Sequence, residues 1–162
     1  MTEAKQLNAV AEVLYAALET NGAFLVTLDP DGRPNPMTIG WGLVGIAVRK
    51  PTFSIYLTKG GYTHETIRQA ESFTISAPAA GTMTEALELC GKRSGREVDK
   101  VADACLTLTA GRAIPVPVVE GCTAAFECTR LLFSERENGD VVVFGQIAEA
   151  YSLSEGPTAP EN

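Results

Sequence analysis

The way in which the strand-like segments are joined constrains the fold of this chain more than any other feature. Two long strands are predicted in the last third, at about residues 122–134 and 141–151, and Asn138-Gly139 between them is typical of a two-residue hairpin. The earlier strand-like segments also follow one another mostly through turns, without regularly alternating helices. This order argues against a doubly wound parallel sheet and predicts a mainly β fold, an antiparallel barrel with added helices.

Hydrophobic periodicity and turn residues predict the other elements. Apolar residues at positions 7, 10, 11, 14 and 18 lie on one face of an N-terminal helix, which Asn21-Gly22 would end. A second helix is expected to start at Thr63, capped by its hydroxyl, and a third at a capping box in 82–85, before a polar loop at 91–100. The remaining strands are predicted at 23–28, 34–42, 53–57 and 73–77, the second of them irregular because of its two prolines.

Composition limits the possible functions. The chain has 162 residues, enough for a single domain, which we place at 1–154 with a loose tail at 155–162. A net charge of −7 argues against broad nucleic-acid binding, although one basic pocket is enough for a small phosphorylated ligand. No apolar run approaches the roughly 18 residues that a spanning helix needs. The first residues lack the layout of a signal peptide, so we expect a cytoplasmic protein without a membrane partner.

Neither a metal site nor a catalytic nucleophile is indicated. His64 is the only histidine, and the cysteines at 90, 105, 122 and 128 include no CxxC pair, so reduced, buried thiols are expected. No nucleophile motif accompanies His64, which is expected at the surface or at a helix N-terminus. Cys90 would be a reactive thiolate if neighbouring cations lowered its pKa, but packing is the preferred interpretation.

Residues 35–42, with the sequence Asn-Pro-Met-Thr-Ile-Gly-Trp-Gly, are the most informative stretch. One interpretation is an edge strand with a bulge. The other is a wall of backbone groups, in which Gly40 and Gly42 let the main chain approach a flat polar ligand and Trp41 offers an aromatic face.

Two further segments are candidate anion sites. In 58–64 a glycine-rich loop enters a helix N-terminus, where free N–H groups and the helix dipole favour phosphate, and Lys59 adds charge. In 92–100 there are four cations in nine residues, and Ser94-Gly95 would form an N–H nest. Each segment has a plainer interpretation as a solvated turn or loop. Taken together with 35–42, they predict a phosphorylated heteroaromatic ligand.

These segments resemble the flavin reductase-like, FMN-binding split-barrel family, in its flavoredoxin-like branch. The Asn-Pro-Met-Thr run and the Ser-Gly-Arg loop, at this separation, are fairly specific as a pair. The resemblance covers about residues 20–150, and its matching segments are 24–27, 31–32, 35–42, 62–67, 73–76, 90–91, 94–100 and 127–128.

The resemblance implies an antiparallel split β-barrel with an N-terminal helix and short helices between strands. Such a chain would form a homodimer and hold FMN at or near the subunit interface. It would move electrons from NAD(P)H to flavin, with a small-molecule redox substrate or an electron-transfer protein as partner. No catalytic side chain is implied, because the cofactor carries out the hydride chemistry.

The resemblance also assigns cofactor-binding residues. Three groups are implied: a wall for the ring and ribityl chain (Asn35, Met37, Thr38, Ile39, Gly40, Trp41), a phosphate-side loop (Thr58, Lys59, Tyr62, Thr63) and a second lobe (Ser94, Gly95, Arg96, Lys100). One departure concerns the phosphate. Relatives often carry Ser-Arg directly before the Tyr-Thr, whereas this chain has Gly60-Gly61, so that Lys59 or backbone amides would have to substitute.

Two other functions stay open at the level of the sequence. The first is an electron carrier like flavoredoxin, with tightly bound FMN and slow NAD(P)H turnover. The second is a barrel without redox function that binds flavin or haem, since related barrels use deazaflavin or haem.

Overall fold

The structure, a computed structural model, describes residues 3–153, and strands make up most of its regular elements. The expected tail at 155–162 lies outside the described residues. In chain order the elements are α1 (Glu3–Leu18), β1 (Ala23–Leu28), β2 (Pro34–Ile39), β3 (Leu43–Ala47), β4 (Lys50–Leu57), α2 (Tyr62–Gln69), β5 (Ser72–Ala77), α3 (Thr84–Lys92), α4 (Lys100–Asp103), β6 (Leu108–Thr109), β7 (Val118–Val119), β8 (Ala124–Glu135) and β9 (Val141–Ser152).

Seven of the strands form one sheet in the order β2-β1-β5-β8-β9-β4-β3, and every neighbouring pair is antiparallel. β6 and β7 form a separate two-stranded sheet. The predicted mainly β, antiparallel fold is confirmed. Closure of the sheet into a split barrel stays a prediction. No helix within residues 3–153 is long and apolar enough to cross a membrane.

The main core lies between this sheet and α1. Val10 and Leu14 are 1% and 0% exposed, and they pack among apolar side chains of β1, β4, β5, β8 and β9. The apolar face predicted from the sequence is therefore the face that α1 buries. Full burial of one such side chain stabilises the fold by roughly 1.5–3 kcal/mol. Packing of this face, more than helix propensity, holds α1 in place.

A second core places α3 on the other face of β1. Phe24 and Val26 of β1 are both 0% exposed and pack with Leu87 and Cys90 of α3. β1 is thus buried on both faces, which explains its continuous apolar run. This packing brings the loop that follows α3 beside the start of β2, where Gly95 contacts Asn35.

Both predicted helix starts are wrong in detail. α2 begins at Tyr62, and its N-cap is Gly61, because the Thr63 hydroxyl accepts a hydrogen bond from the side chain of Asn35. α3 begins after Met83, which takes a left-handed conformation with φ 54°, and no side chain caps it. The capping box fails because the Thr82 hydroxyl donates to the Ala79 carbonyl. The polar loop after α3 is shorter than predicted, since α3 continues to Lys92 and α4 begins with Lys100.

The hairpin signal at Asn138-Gly139 is confirmed, since β8 and β9 form the longest antiparallel pair. Its turn is longer than two residues. Arg136 donates its N–H to the Asp140 carbonyl and accepts from the Gly139 N–H, and Gly139 has φ +88°. This pattern is a type I turn followed by a glycine in the left-handed region.

β3 is a strand that the sequence analysis missed. Most of its residues are exposed, so it lacks the alternation that marks a half-buried strand. It pairs with β4 through a tight turn in which Val48 and Arg49 have φ 51° and 62°. β3 ends the strand order on one side and β2 on the other.

All four cysteines are free thiols. Cys90, Cys122 and Cys128 are buried as expected, whereas Cys105 is exposed and corrects that expectation.

Candidate functional site

A cavity of about 650 Å³ brings together residues from all three candidate segments. It lies beside the start of β2, the first residue of α2 and the loop that leads into α4. Five of the predicted site residues line it: Asn35, Tyr62, Gly95, Arg96 and Lys100.

Asn35 is the most constrained polar side chain of this cavity. It is 4% exposed, and its Nδ2 donates to the Thr63 hydroxyl at 2.9 Å, so that Thr63 positions it from α2. Its Oδ1 is buried and has no hydrogen-bond partner within the described residues. An unpartnered buried acceptor is unfavourable by roughly 1–3 kcal/mol. Asn35 therefore offers an acceptor to a ligand that carries a donor.

Gly95 is required by its contacts with Asn35 and Tyr62. A Cβ on Gly95 would lie 2.3 Å from Asn35 Oδ1 and 2.7 Å from the Tyr62 ring. Any other residue would push these groups apart. The loop therefore closes against β2 and α2 only with glycine at this position.

Lys100 contributes a buried cation. It is 4% exposed, and its Nζ donates to the Cys90 carbonyl at 3.1 Å. Within residues 3–153 no carboxylate lies within ion-pair distance of this ammonium group. Burial lowers the pKa of Lys100, and the nearby Cys90 acts in the opposite direction. A buried ammonium with a single protein acceptor favours an anionic or carbonyl-bearing ligand in the adjoining cavity.

Arg96 is already engaged by the protein. Its guanidinium forms an ion pair with Glu65 of α2 and lies 5.5 Å from the centre of the Tyr62 ring. The hydrogen bond from Arg96 holds the pKa of Glu65 below its usual value. The predicted N–H nest is also partly used, because the Arg96 N–H donates to the Ser94 hydroxyl at 3.2 Å.

The phosphate-side segment is divided by the structure. Tyr62 lines the cavity, Thr63 lies behind it and holds Asn35, and no side chain caps the N-terminus of α2. Thr58 and Lys59 are exposed and do not line the cavity. Lys59 lies against the β8–β9 hairpin, where its N–H donates to Asp140 at 3.0 Å. A role for Thr58 and Lys59 in phosphate binding stays a prediction.

The side chains of β2 after Asn35 point to several environments. Ile39 is 5% exposed and lies in the main core, against which Met37 also packs. The Thr38 hydroxyl donates to the Leu87 carbonyl of α3 at 2.6 Å. Gly40 is exposed, with open space where a Cβ would be. Contact of a ligand with Met37, Thr38, Ile39 or Gly40 stays a prediction. Because the Ile39 side chain lies in the core, only the backbone of Ile39 could contact a ligand.

Trp41 presents an exposed aromatic face. Its side chain is 48% exposed, and its ring centre lies 5.3 Å from that of Tyr56. The adjacent Gly42 has a packing reason, since a Cβ there would lie 2.9 Å from the Phe53 ring. The absence of a side chain at Gly42 therefore makes room for Phe53 of the core. The sequence analysis had instead expected Gly42 to let the backbone approach a ligand.

Four residues near the site were missed as site residues in the sequence. Asp29 lines the cavity and accepts the N–H groups of its own turn. Glu65 was missed because no local pattern shows its pairing with a distant arginine. Tyr56 and Asp140 hydrogen-bond to each other beneath Trp41, and this contact holds the pKa of Asp140 down. Asp29 and Asp140 each had a turn as a signal, since Asp29 opens the Asp-Pro-Asp-Gly segment at 29–32 and Asp140 follows the hairpin turn.

His64 and Cys90 have structural roles in this arrangement. His64 lies in the first turn of α2, as expected, but it is buried, and its Nε2 lies 2.8 Å from the Gly139 carbonyl. Burial raises the pKa of Cys90 to about 11, so this thiol is protonated at neutral pH and packs in the second core.

The comparisons with known proteins agree with this fold. A family model described as flavin reductase like domain matches residues 17–160. No curated protein gives a significant sequence match to this chain.

Solved structures with the same fold include two flavoredoxins. That of Desulfovibrio vulgaris (Miyazaki F) is 27% identical, with a TM-score of 0.70 over 81% of this chain and 68% of that chain. That of Methanosarcina acetivorans is 28% identical, with a TM-score of 0.70 over 82% of this chain and 68% of that chain. An NADH:FAD oxidoreductase of Streptomyces globisporus C-1027 is 20% identical, with a TM-score of 0.68 over 82% of this chain and 75% of that chain. At this identity the likeness shows a shared fold only. The family match extends over most of the sequence, and the chain belongs to the flavin reductase like domain family.

Proposed function

We propose that this protein binds FMN and acts as an oxidoreductase of the flavin reductase type, moving electrons from NAD(P)H to flavin. The observation that carries the proposal is the meeting of two buried polar side chains, Asn35 and Lys100, at one cavity of about 650 Å³. Each lacks part of its hydrogen bonding within the protein. A ligand that supplies both a donor and an acceptor would satisfy the two together.

The residues present fit FMN by this test. The flavin ring has carbonyl oxygens for Lys100 and an N–H group for Asn35 Oδ1. The phosphate would be bound by the uncapped N-terminus of α2, whose free N–H groups and dipole attract anions, and by Arg96. Gly95 has no side chain, which allows the loop between α3 and α4 to pack directly against Asn35 of β2.

The protein's own contribution would be binding and electrostatics. Bound flavin would supply the hydride chemistry. Lys100 would place a fixed positive charge in a buried site, where it favours a ligand form with more negative charge. Thr63 would hold the Asn35 amide in one orientation through its hydrogen bond. No general base is needed for this role, and none is assigned.

A second candidate is an electron carrier with tightly bound FMN. It is favoured by the two flavoredoxins, which are the relatives above with the higher sequence identity. The carrier and the reductase use the same pocket. They differ in how fast NADH or NADPH is oxidised.

We also propose a split barrel that assembles as a homodimer. Leu43, Ile46 and Val48 on and next to β3 are 62%, 68% and 82% exposed, an apolar edge that a second copy would cover. Two other expectations stay predictions, namely the cytoplasmic location and the absence of nucleic-acid and membrane partners.

The test is the absorption spectrum of the purified protein, followed by titration with FMN and assays of NADH and NADPH oxidation. We expect flavin bands, and weaker FMN binding in Lys100→Met, which keeps the length of the side chain and removes its charge. Loss of the charge-assisted contact predicts a loss of roughly 10- to 150-fold. Lys92→Met is the matched control, since Lys92 is exposed and pairs with Glu88. Haem bands, or no flavin binding at all, would refute the proposal.

A further inference from the structure

Two opposite charges meet at the edge of the proposed flavin cavity. Arg96 lines this cavity, and its guanidinium pairs with the carboxylate of Glu65 in the first turn of α2. The two side chains are 45% and 59% exposed, so water reaches both and the pair can separate without unfolding. Before any ligand binds, the guanidinium of Arg96 therefore already has a carboxylate partner.

Glu65 also lies at the end of α2 that favours an anion. No side chain caps this helix, and a carboxylate in its first turn is stabilised by the helix dipole. The hydrogen bond from Arg96 lowers the pKa of Glu65, with burial opposing it, so the group is ionised at neutral pH. The Glu65 carboxylate thus already lies against the two groups that would attract a phosphate here, the N-terminus of α2 and the guanidinium of Arg96.

The ion pair crosses a boundary between two cavities. A smaller cavity, of about 240 Å³, adjoins the larger one, and Asp29 and Tyr62 line both. Glu65 lines only the smaller cavity and Arg96 only the larger. Rupture of the pair would leave Arg96 free on the side of the proposed flavin.

We propose that Glu65 is an internal competitor for the phosphate of the flavin, which holds Arg96 until FMN displaces it. This inference rests on the proposed function. Part of the energy of the Arg96–phosphate contact is then used to break the Arg96–Glu65 pair. FMN gains a smaller advantage over riboflavin than Arg96 alone would give.

The decisive variant is Glu65→Gln, which keeps the size of the side chain and removes its charge. FMN and riboflavin are titrated separately into wild type and variant, with flavin fluorescence as the readout. The Kd for FMN is expected to fall about 3- to 10-fold, because an exposed pair is weak and a phosphate–carboxylate repulsion also disappears. The Kd for riboflavin, which has no phosphate, is expected to change less than about 2-fold.

Glu88→Gln is the matched control. Glu88 forms a similar exposed ion pair with Lys92 on α3, and its replacement changes the net charge by the same amount. It lines neither cavity. The ratio of the two Kd values should stay at the wild-type value in this control, and circular dichroism shows whether each variant is folded.

The double variant Glu65→Gln/Arg96→Ala separates competition from general repulsion. Compared with Arg96→Ala alone, the further substitution Glu65→Gln should tighten FMN binding by no more than about 2-fold, which is the part due to phosphate–carboxylate repulsion. Equal gains for FMN and riboflavin, a gain no larger than in Glu88→Gln, or an undiminished gain without Arg96 would overturn the inference and leave the proposed function intact. Absence of any flavin binding by the folded wild type would overturn both.

Discussion

Replacement of Glu127 by Gln should destabilise this protein far more than removal of an exposed charge. Glu127 lies in the middle of β8 and is 0% exposed. Its Oε1 accepts the N–H groups of Ala113 and Ile114 at 2.8 and 3.1 Å. Its Oε2 accepts the Arg112 N–H at 2.9 Å and the Tyr151 hydroxyl at 2.8 Å. One buried carboxylate therefore holds three consecutive backbone N–H groups of the loop between β6 and β7.

The magnitude follows from which of these bonds glutamine can keep. Its amide oxygen can still accept from Ala113 and Ile114, but without the assistance of a negative charge. Its NH₂ group then faces the Arg112 N–H, and two donors cannot bond, whereas the Tyr151 hydroxyl can rotate and accept. One orphaned N–H costs about 1–3 kcal/mol, and the two weakened bonds add to this. We expect a loss of about 2–4 kcal/mol in the free energy of unfolding at pH 7.

The effect should depend on pH with a definite sign. Burial raises the pKa of Glu127, but its hydrogen bonds from Ala113, Arg112, Tyr151 and Ile114 outweigh burial, so the folded pKa lies below the ordinary value of 4.5. The contribution of Glu127 is fully present above that value and is lost as pH falls through the folded pKa. Wild type and variant should therefore differ most at neutral pH and converge in acid.

Urea denaturation at pH 7, and at steps below pH 4.5, measures this difference. Glu149→Gln is the matched control, because Glu149 lies opposite Glu127 in the register of β8 and β9 but is exposed. Its replacement should change stability by less than about 0.5 kcal/mol. Equal stability of wild type and Glu127→Gln at pH 7, or a gap that stays constant in acid, would refute the reasoning.

Two further predictions concern the glycine pair and the exposed sheet edge. Gly60 has φ +95°, so Gly60→Ser should lower the free energy of unfolding by about 1–2 kcal/mol. Gly61 has φ −82° and open space around it, so Gly61→Arg should not lower stability. The Gly61→Arg variant should bind FMN more tightly, because an arginine forms charge-assisted hydrogen bonds with phosphate. Urea unfolding and FMN titration check the two variants, and equal stabilities would count against the backbone argument. Ile46→Lys should convert a wild-type homodimer to a monomer in light scattering, and a monomeric wild type with FMN bound would contradict the proposed assembly.

Buried strands were predictable from this sequence because their environment leaves a local pattern. The predicted strand at 23–28 coincides with β1, whose residues are buried, and β5 differs from its prediction by one residue at its start. β3 escaped because an exposed edge strand has no apolar alternation. The helix starts failed for another reason. The hydroxyls of Thr63 and Thr82 are used by Asn35 and Ala79, and such tertiary competition cannot be seen in a local motif.

Part of the cavity lining was predictable from the sequence, mainly through its resemblance to a known family. Asn35, Gly95 and Lys100 were identified from two separate segments, and the structure brings them to one cavity. The pairing of Glu65 with Arg96 was not predictable, because nothing in either segment refers to the other. The hairpin contact of Lys59 was missed for the same reason, since it depends on Asp140 of the last turn.

Counting cations in the sequence overstates the positive charge that this site can offer. The chain has 20 acidic and 13 basic residues, and several cations at or near the cavity lie beside an acidic partner. Arg33 at the cavity pairs with Asp29 and Asp31, Arg96 pairs with Glu65, and Lys92 pairs with Glu88. Lys100 differs because burial excludes the competing carboxylates along with water. Among the described residues that line this cavity, an anion would therefore meet one cation without an acidic partner. The affinity for a negatively charged ligand would depend mainly on Lys100 and on how readily Glu65 gives up Arg96.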